Sequence, residues 1–395
     1  MKADHSKYHF PWRNDNQFRL LIDGGQFYPA MLGAIDAARS HIFMELYLFE
    51  SGAVASRFID RLIAARARGV EVCLLLDDYG AKKLLKEDRQ KLEGNDIRVS
   101  YYNPLRYHGL HHNLFRDHRK LLLADDRISF TGGAGITDEF DPVQNPGQHW
   151  RETMIEIRGP DVADWRTLFE ESWQRCSDQP LPLAAKGEEE KAGVQRGRVT
   201  LAHGTTRTEI KRSLLQRIRH ARKTIWIATA YFVPSWKIRR ALGNAARRGV
   251  DVRLLLPGPH TDHPAIRHAG RRFYYGLLRH GVRIFEYQPR FTHSKVLLCD
   301  DWTAIGSSNL DRWNFHWNLE ANQEVDDAEF ATGVRAMFMT DFAASREYHV
   351  AEWRIRPWYR RVLEWFWGRV DIALERLSIR HAREPDREKR PPHQR

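Results

Sequence analysis

The chain has 395 residues, enough for two or three domains with cores of their own, and its 42% hydrophobic and 29% charged residues fit a soluble globular protein. Its net charge of +12 points to an anionic partner, whether nucleic acid, anionic lipid or a phosphate-bearing substrate. Cys73, Cys176 and Cys299 show no zinc spacing or disulfide framework and read as buried free thiols, and no window approaches the roughly 18 apolar residues of a spanning helix.

The first twenty residues, MKADHSKYHFPWRNDNQFRL, carry no apolar h-region, so no signal peptide is expected. Ile42 to Phe49 is apolar and β-prone. Val54 to Arg68 then places Phe58, Leu62, Ile63 and Ala65 at helical spacing, and Gly69 stops the helix. Val70 to Leu76 is a continuous apolar run, the pattern of a strand buried on both faces. The aromatic, histidine-rich Tyr101 to Phe115 suits a groove lining; His108, His111 and His112 lack zinc spacing, and no metal is expected. Ser177 to Arg198 is rich in Pro, Gly and charge without apolar periodicity, and reads as a linker.

After the linker the pattern repeats. ARARGVEVCLLLDD resembles NAARRGVDVRLLLPG, with Gly69 and Gly249 180 residues apart. AARSHIFMELYLFE resembles HARKTIWIATAYFV at an offset of 183, and GNDIRVSYYNP resembles HGVRIFEYQP at 185. Each unit alternates helices and strands, which predicts an α/β sheet sandwiched by helices. The expected organisation is 1–176, a linker at 177–198, a second unit at 199–350, and a basic amphipathic helix with a disordered tail at 351–395.

Both units carry one polar cluster. His118, Lys120 and Asp125 bracket LLLA; 175 residues on from His118, His293 begins a second set with Lys295 and Asp300, around VLLC. On a strand, residues two apart face the same way, so an imidazole and an ammonium stand side by side at one end of a sheet. Glycine-rich turns follow: Gly132–Gly135 (GGAG) and Gly306–Asn309 (GSSN). They let the backbone approach a ligand and supply N–H donors. A single such cluster arises by chance; two at matching places in a duplicated unit suit attack on a phosphodiester. One histidine would be nucleophile and the other general acid. The lysines, Gly132, Gly133, Ser307 and Asn309 would hold phosphoryl oxygens. Glu152 and Glu320 follow their clusters by 34 and 27 residues, and each is expected to orient the histidine of its own copy. Asp125 and Asp300 belong to the candidate catalytic sets but are expected to tie down turns.

The pair of H-x-K-x4-D motifs resembles the phospholipase D superfamily over roughly Phe18 to Phe342. FRDHRKLLLAD, GGAGITDEF, AYFVPS and GSSNLDRWNFHWNLEAN are most similar to bacterial cardiolipin synthases of the type without N-terminal membrane spans. The resemblance implies two pseudo-twofold-related α/β/α sandwich domains with one active site at their interface. It implies a phosphohistidine intermediate with no metal and no cofactor, His118 as nucleophile and His293 as general acid. Gly135 stands where the family usually has Asn, so the two halves should be unequal.

The intermediate leaves the acceptor open. A second phospholipid gives a phosphatidyltransferase making cardiolipin; water gives a phospholipase D; the same motifs also serve nucleases. Arg356 to Arg383 places Leu363, Phe366, Trp367, Val370, Leu374 and Leu377 on one helical face beside several arginines, the pattern of an anionic-membrane binder. A terminal helix packed on the second domain carries the same stripe. No nucleic-acid-binding motif is found. The expectation is phospholipid substrates handled peripherally at the cytoplasmic face of a bacterial inner membrane.

Overall fold

The computed structural model describes residues 7–105, 113–181, 190–203, 207–311 and 317–355, with 357, 362, 366 and 367. His108, His111 and His112 lie outside the described residues, as does nearly all of Arg356 to Arg383.

The first half contributes β1 (Arg13–Ile22), β2 (His41–Leu46), β3 (Glu71–Asp77), β4 (Arg98–Tyr102), β5 (Lys120–Ala124), β6 (Ile128–Gly132) and β7 (Thr153–Arg158). The second contributes β8 (Gln195–His203), β9 (Arg207–Thr208), β10 (Thr224–Ala228), β11 (Phe232–Val233), β12 (Asp251–Pro257) and β13 (Arg283–Tyr287). It continues with β14 (Val296–Cys299), β15 (Trp302–Gly306), β16 (Leu310–Asp311), β17 (Leu319–Asp326) and β18 (Ser345–Tyr348). β8 starts four residues inside the segment expected to be linker.

From the centre outward, β1-β7-β6-β5-β2-β3-β4 mirrors β8-β17-β15-β14-β10-β12-β13, a palindrome that follows from the duplication. β2, β3 and β4 pair in parallel, as do β10, β12 and β13. Helices such as Ala53–Ala67 and Trp236–Arg247 make the crossovers that parallel pairing requires. β1 pairs antiparallel with β8 across a register shift, so one sheet continues through both halves.

Three cores hold these layers. Phe27, Ile35, Phe58 and Leu62 cover the outer face of the first half against Ile42, Leu74 and Leu122. Leu214, Ile218, Ile238 and Leu242 do the same for the second half against Ile225, Leu254 and Leu297. The central core draws Phe43, Leu75, Leu121 and Trp165 from one half and Trp226, Leu255, Leu298 and Phe338 from the other. This explains the unbroken apolar run of β3: Leu74 and Leu76 enter the outer core, Cys73 and Leu75 the central one.

Asp125 and Asp300 sit at the ends of β5 and β14 remote from the histidines. The Asp125 carboxylate accepts hydrogen bonds from the backbone N–H groups of Arg39, Ser40 and His41. Asp300 accepts from those of Arg222, Lys223 and Thr224. Both adopt left-handed φ, 54° and 53°, which an aspartate tolerates in a tight turn. They clamp each hairpin onto the first residues of β2 and β10. This is the turn-anchoring geometry expected of both residues.

Candidate active site

β5 begins at Lys120 and β14 at Val296, so the histidines lie on the extended chain leading into these strands. Short parallel bridges between the halves fix both lead-in segments: Asp117 pairs with Leu319, and Arg151 with Thr292. His118 N–H donates to the Leu319 carbonyl at 3.0 Å, and His293 N–H to the Arg151 carbonyl at 2.8 Å. Each histidine therefore lies beside the residue that precedes the other half's glutamate.

The consequence corrects the expected pairing. His118 Nδ1 is 3.0 and 3.1 Å from the two carboxylate oxygens of Glu320, and His293 Nδ1 is 2.6 Å from Glu152. The carboxylates cross between halves, and neither serves the histidine of its own copy. Sequence spacing misses this because it counts along one chain copy, whereas the pairing is set by the pseudo-twofold contact.

Lys120 and Lys295 donate to the backbone carbonyls of His118 and His293, and Lys295 Nζ is also 3.0 and 3.1 Å from the two ring nitrogens of His293. All six side chains are buried, with Glu152 and Glu320 at 0% exposure. Burial pushes Lys120 down to about 7, against the attraction of Glu320. Burial also lowers Lys295, and it raises Glu152 to about 7 against Lys295 and the Thr153 N–H. Burial lowers both histidines; Glu320 partly opposes this at His118, whereas Lys295 adds to it at His293.

The glycine-rich turns are unequal. A Cβ on Gly133 would lie 2.1 Å from a Glu152 oxygen, so glycine is needed to admit that carboxylate. Its counterpart Ser307 instead donates its hydroxyl to Glu320 and accepts from Ala321 N–H at 3.1 Å. Ser307 thus holds a carboxylate, and the expected hydroxyl contact to phosphate is not what this geometry provides. Asn309 accepts at Oδ1 from Thr229 and the Tyr231 N–H, at 3.3 and 3.4 Å. Its buried Nδ2 has no partner among the described residues, as a donor awaiting a ligand would be. Gly135 cannot become Asn without backbone movement, because its Cβ would stand 2.5 Å from the Leu48 carbonyl oxygen.

Several supporting residues carried no sequence signal. Asp77 accepts from the N–H groups of Tyr79, Gly80 and Asp117 and pairs with Arg116, fixing the chain before His118. Arg151 bonds Asp341 twice, at 3.1 and 3.0 Å, and fixes the chain before Glu152. Tyr47 stands edge-on to His118, and Phe140, Trp150, Phe291 and Tyr231 surround His293. No group of metal-ligating side chains occurs among the described residues.

This duplicated fold, with paired His-Lys sets facing each other across its centre, matches the family described as "Cardiolipin synthase, PLD-like domain" over residues 31–173 and 214–342. The chain is 34% identical to cardiolipin synthase 2 of Bacillus anthracis over 88% of this chain and 68% of that protein. It is 34% identical to cardiolipin synthase B of Salmonella typhimurium, over 82% and 80% respectively. The structure of phosphatidylserine synthase from Haemophilus influenzae superposes with a TM-score of 0.73 at 14% identity, over 95% of this chain and 98% of that one. The protein is an enzyme of the phospholipase D superfamily and belongs to its cardiolipin synthase family.

Proposed function

We propose that the enzyme transfers a phosphatidyl group from one phospholipid to the hydroxyl of a second, phosphatidylglycerol, and so makes cardiolipin. The crossed His–Glu pairs carry this reading, supported by the names of the relatives. His118, with Nδ1–H donated to Glu320, presents the Nε2 lone pair and attacks phosphorus. Glu320 offsets the positive charge that develops on the ring. His293 is held neutral, and the Glu152 carboxyl stores the proton. Nε2–H of His293 protonates the leaving oxygen while the Glu152 proton passes to Nδ1. Lys120, Lys295 and the Asn309 amide hold the phosphoryl oxygens.

No helix among the described residues is long and apolar enough to cross a membrane. Exposed Leu85 and Leu105 follow the ends of β3 and β4, exposed Leu114 and Val143 lie between strands, and exposed Trp236 opens the helix that follows β10 and β11. Together with the net charge of +12 they support peripheral work on an anionic bilayer, at the cytoplasmic face of the inner membrane.

The test is lipid mass spectrometry on purified protein with phosphatidylglycerol vesicles, with and without phosphatidylethanolamine. His118-dependent cardiolipin supports the transferase. Phosphatidic acid alone makes the enzyme a hydrolase, and no lipid turnover turns attention to nucleic-acid phosphodiesters.

A further inference from the structure

The two histidines are approached by tyrosines from different positions: Tyr47 stands against His118 and Tyr231 near His293. Tyr231 follows β10 at the place where Leu48 follows β2, and its backbone N–H is tied to Asn309. Its ring centroid is 6.4 Å from that of His293. The Tyr231 hydroxyl donates to Asp262 Oδ2 at 2.5 Å, and His263 Nε2 lies 3.7 Å from the same oxygen. Asp262 Oδ1 accepts no hydrogen bond among the described residues, and the side chain keeps 21% of its exposure. Its charge acts on both His293 and Lys295.

A carboxylate beside a phosphate-binding site is electrostatically costly, since it repels the phosphodiester that the lysines attract. Its presence is explained if it receives a neutral group that donates hydrogen bonds. Among the described residues the first half shows no such pair: Tyr47 stands over His118, Leu48 is apolar, and Asp77 is committed to three backbone N–H groups and Arg116.

We infer that Asp262, held by Tyr231, is the specificity-determining contact for a vicinal-diol acceptor, the glycerol end of the second substrate, and sets it over His293. This rests on the transferase reading above. One acceptor hydroxyl gives its proton to His293 Nε2, and its oxygen forms the new P–O bond. The P–N bond to His118 breaks with its electron pair returning to Nε2, and the Nδ1 proton of His293 returns to Glu152. The neighbouring hydroxyl donates to the open oxygen of Asp262. Simple alcohols lack that second donor, and water's second O–H is on the attacking oxygen itself and not on a neighbouring carbon.

The experiment supplies 1,2-propanediol and 1-propanol at equal concentration to the full-length enzyme on phosphatidylglycerol vesicles. The two phosphatidyl products and phosphatidic acid are quantified together by mass spectrometry. The expected wild-type outcome is a preference for the diol, reduced roughly tenfold by Asp262→Asn, as for a lost hydrogen bond to a charged group. Tyr231→Phe, which removes only the hydroxyl, is expected to shift the ratio the same way. The product ratio is internal to each reaction, so it does not depend on how much enzyme is folded. A wild type without diol preference, or variants that keep the wild-type ratio, overturns the inference. Loss of all products in both variants also overturns it, since the pair would then serve the chemistry and not acceptor choice. A wild type that yields phosphatidic acid alone sinks the transferase reading itself and is told apart by that product.

Discussion

His118 and His293 are each completed by a carboxylate from the opposite half, so replacing either by Ala removes a reacting group that no neighbour replaces. Turnover measured by product mass is expected to fall at least about 10²–10⁴-fold in both variants; full activity in one would exclude a shared site. Glu152 is pushed up and Lys120 down, each to about 7. Both groups are raised or lowered chiefly by burial, and both act in the protonated form. Activity is therefore expected to hold below pH 7 and to fall above it with a dependence steeper than one proton. Glu152→Gln is expected to leave a slower enzyme with a shallower alkaline limb, set by the lysines. An unchanged slope would remove Glu152 from the proton path. The residue types of this site were legible in the sequence, because His-Lys at matching places in a duplicated unit is a dense coincidence. Their partners were not, as Glu152 and Glu320 show: chain order pairs each with the histidine of its own copy, whereas the fold pairs it with the other.

At the scale of the element, hairpins and lead-in segments decide where the chemistry stands. Partial burial pushes the Asp300 pKa up, but hydrogen bonds from Thr224, Arg222 and Lys223 outweigh it and leave the carboxyl below its ordinary value. Asp300 thus stabilises the fold above the ordinary carboxylate range, and that contribution is lost as pH falls through its folded value. Asp300→Ala is expected to cost about 2–3 kcal/mol in chemical denaturation, for three charge-assisted hydrogen bonds. The surviving folded fraction should keep its turnover number; a specific loss of turnover would return Asp300 to the chemistry. Gly133→Ala makes the opposite prediction. With a Cβ 2.1 Å from the Glu152 oxygen, the carboxylate must shift away from His293, and turnover should fall more than stability does. Strands and helices were readable from apolar runs, since β3 needs no polar face when cores cover both of its sides. That β5 starts at Lys120 and β14 at Val296 was not, because the lead-in segments are held by single bridges to the other half.

For the whole molecule, the pseudo-twofold axis joins two sheets edge to edge at β1 and β8 and buries one core between them. Exposed Trp236 opens the helix that follows β10 and β11 in the second half. Trp236→Ala is expected to weaken binding to anionic vesicles roughly tenfold in a sedimentation assay, about the burial value of one large side chain. Added salt should weaken binding further, since exposed charges are screened within about 8–10 Å at physiological strength. Unchanged binding would move membrane contact to another face. Duplication, two α/β units, the polar clusters and the family were determined by the sequence alone, because periodicity, repeats and motifs are properties of order along a chain. The crossing of the carboxylates, the use of Ser307 for Glu320, the particular N–H groups that Asp125 and Asp300 hold, and the Tyr231–Asp262 pair were decided only by the tertiary structure. Each depends on which segments meet across the contact between halves, and residues far apart in sequence become neighbours only when packing brings them together.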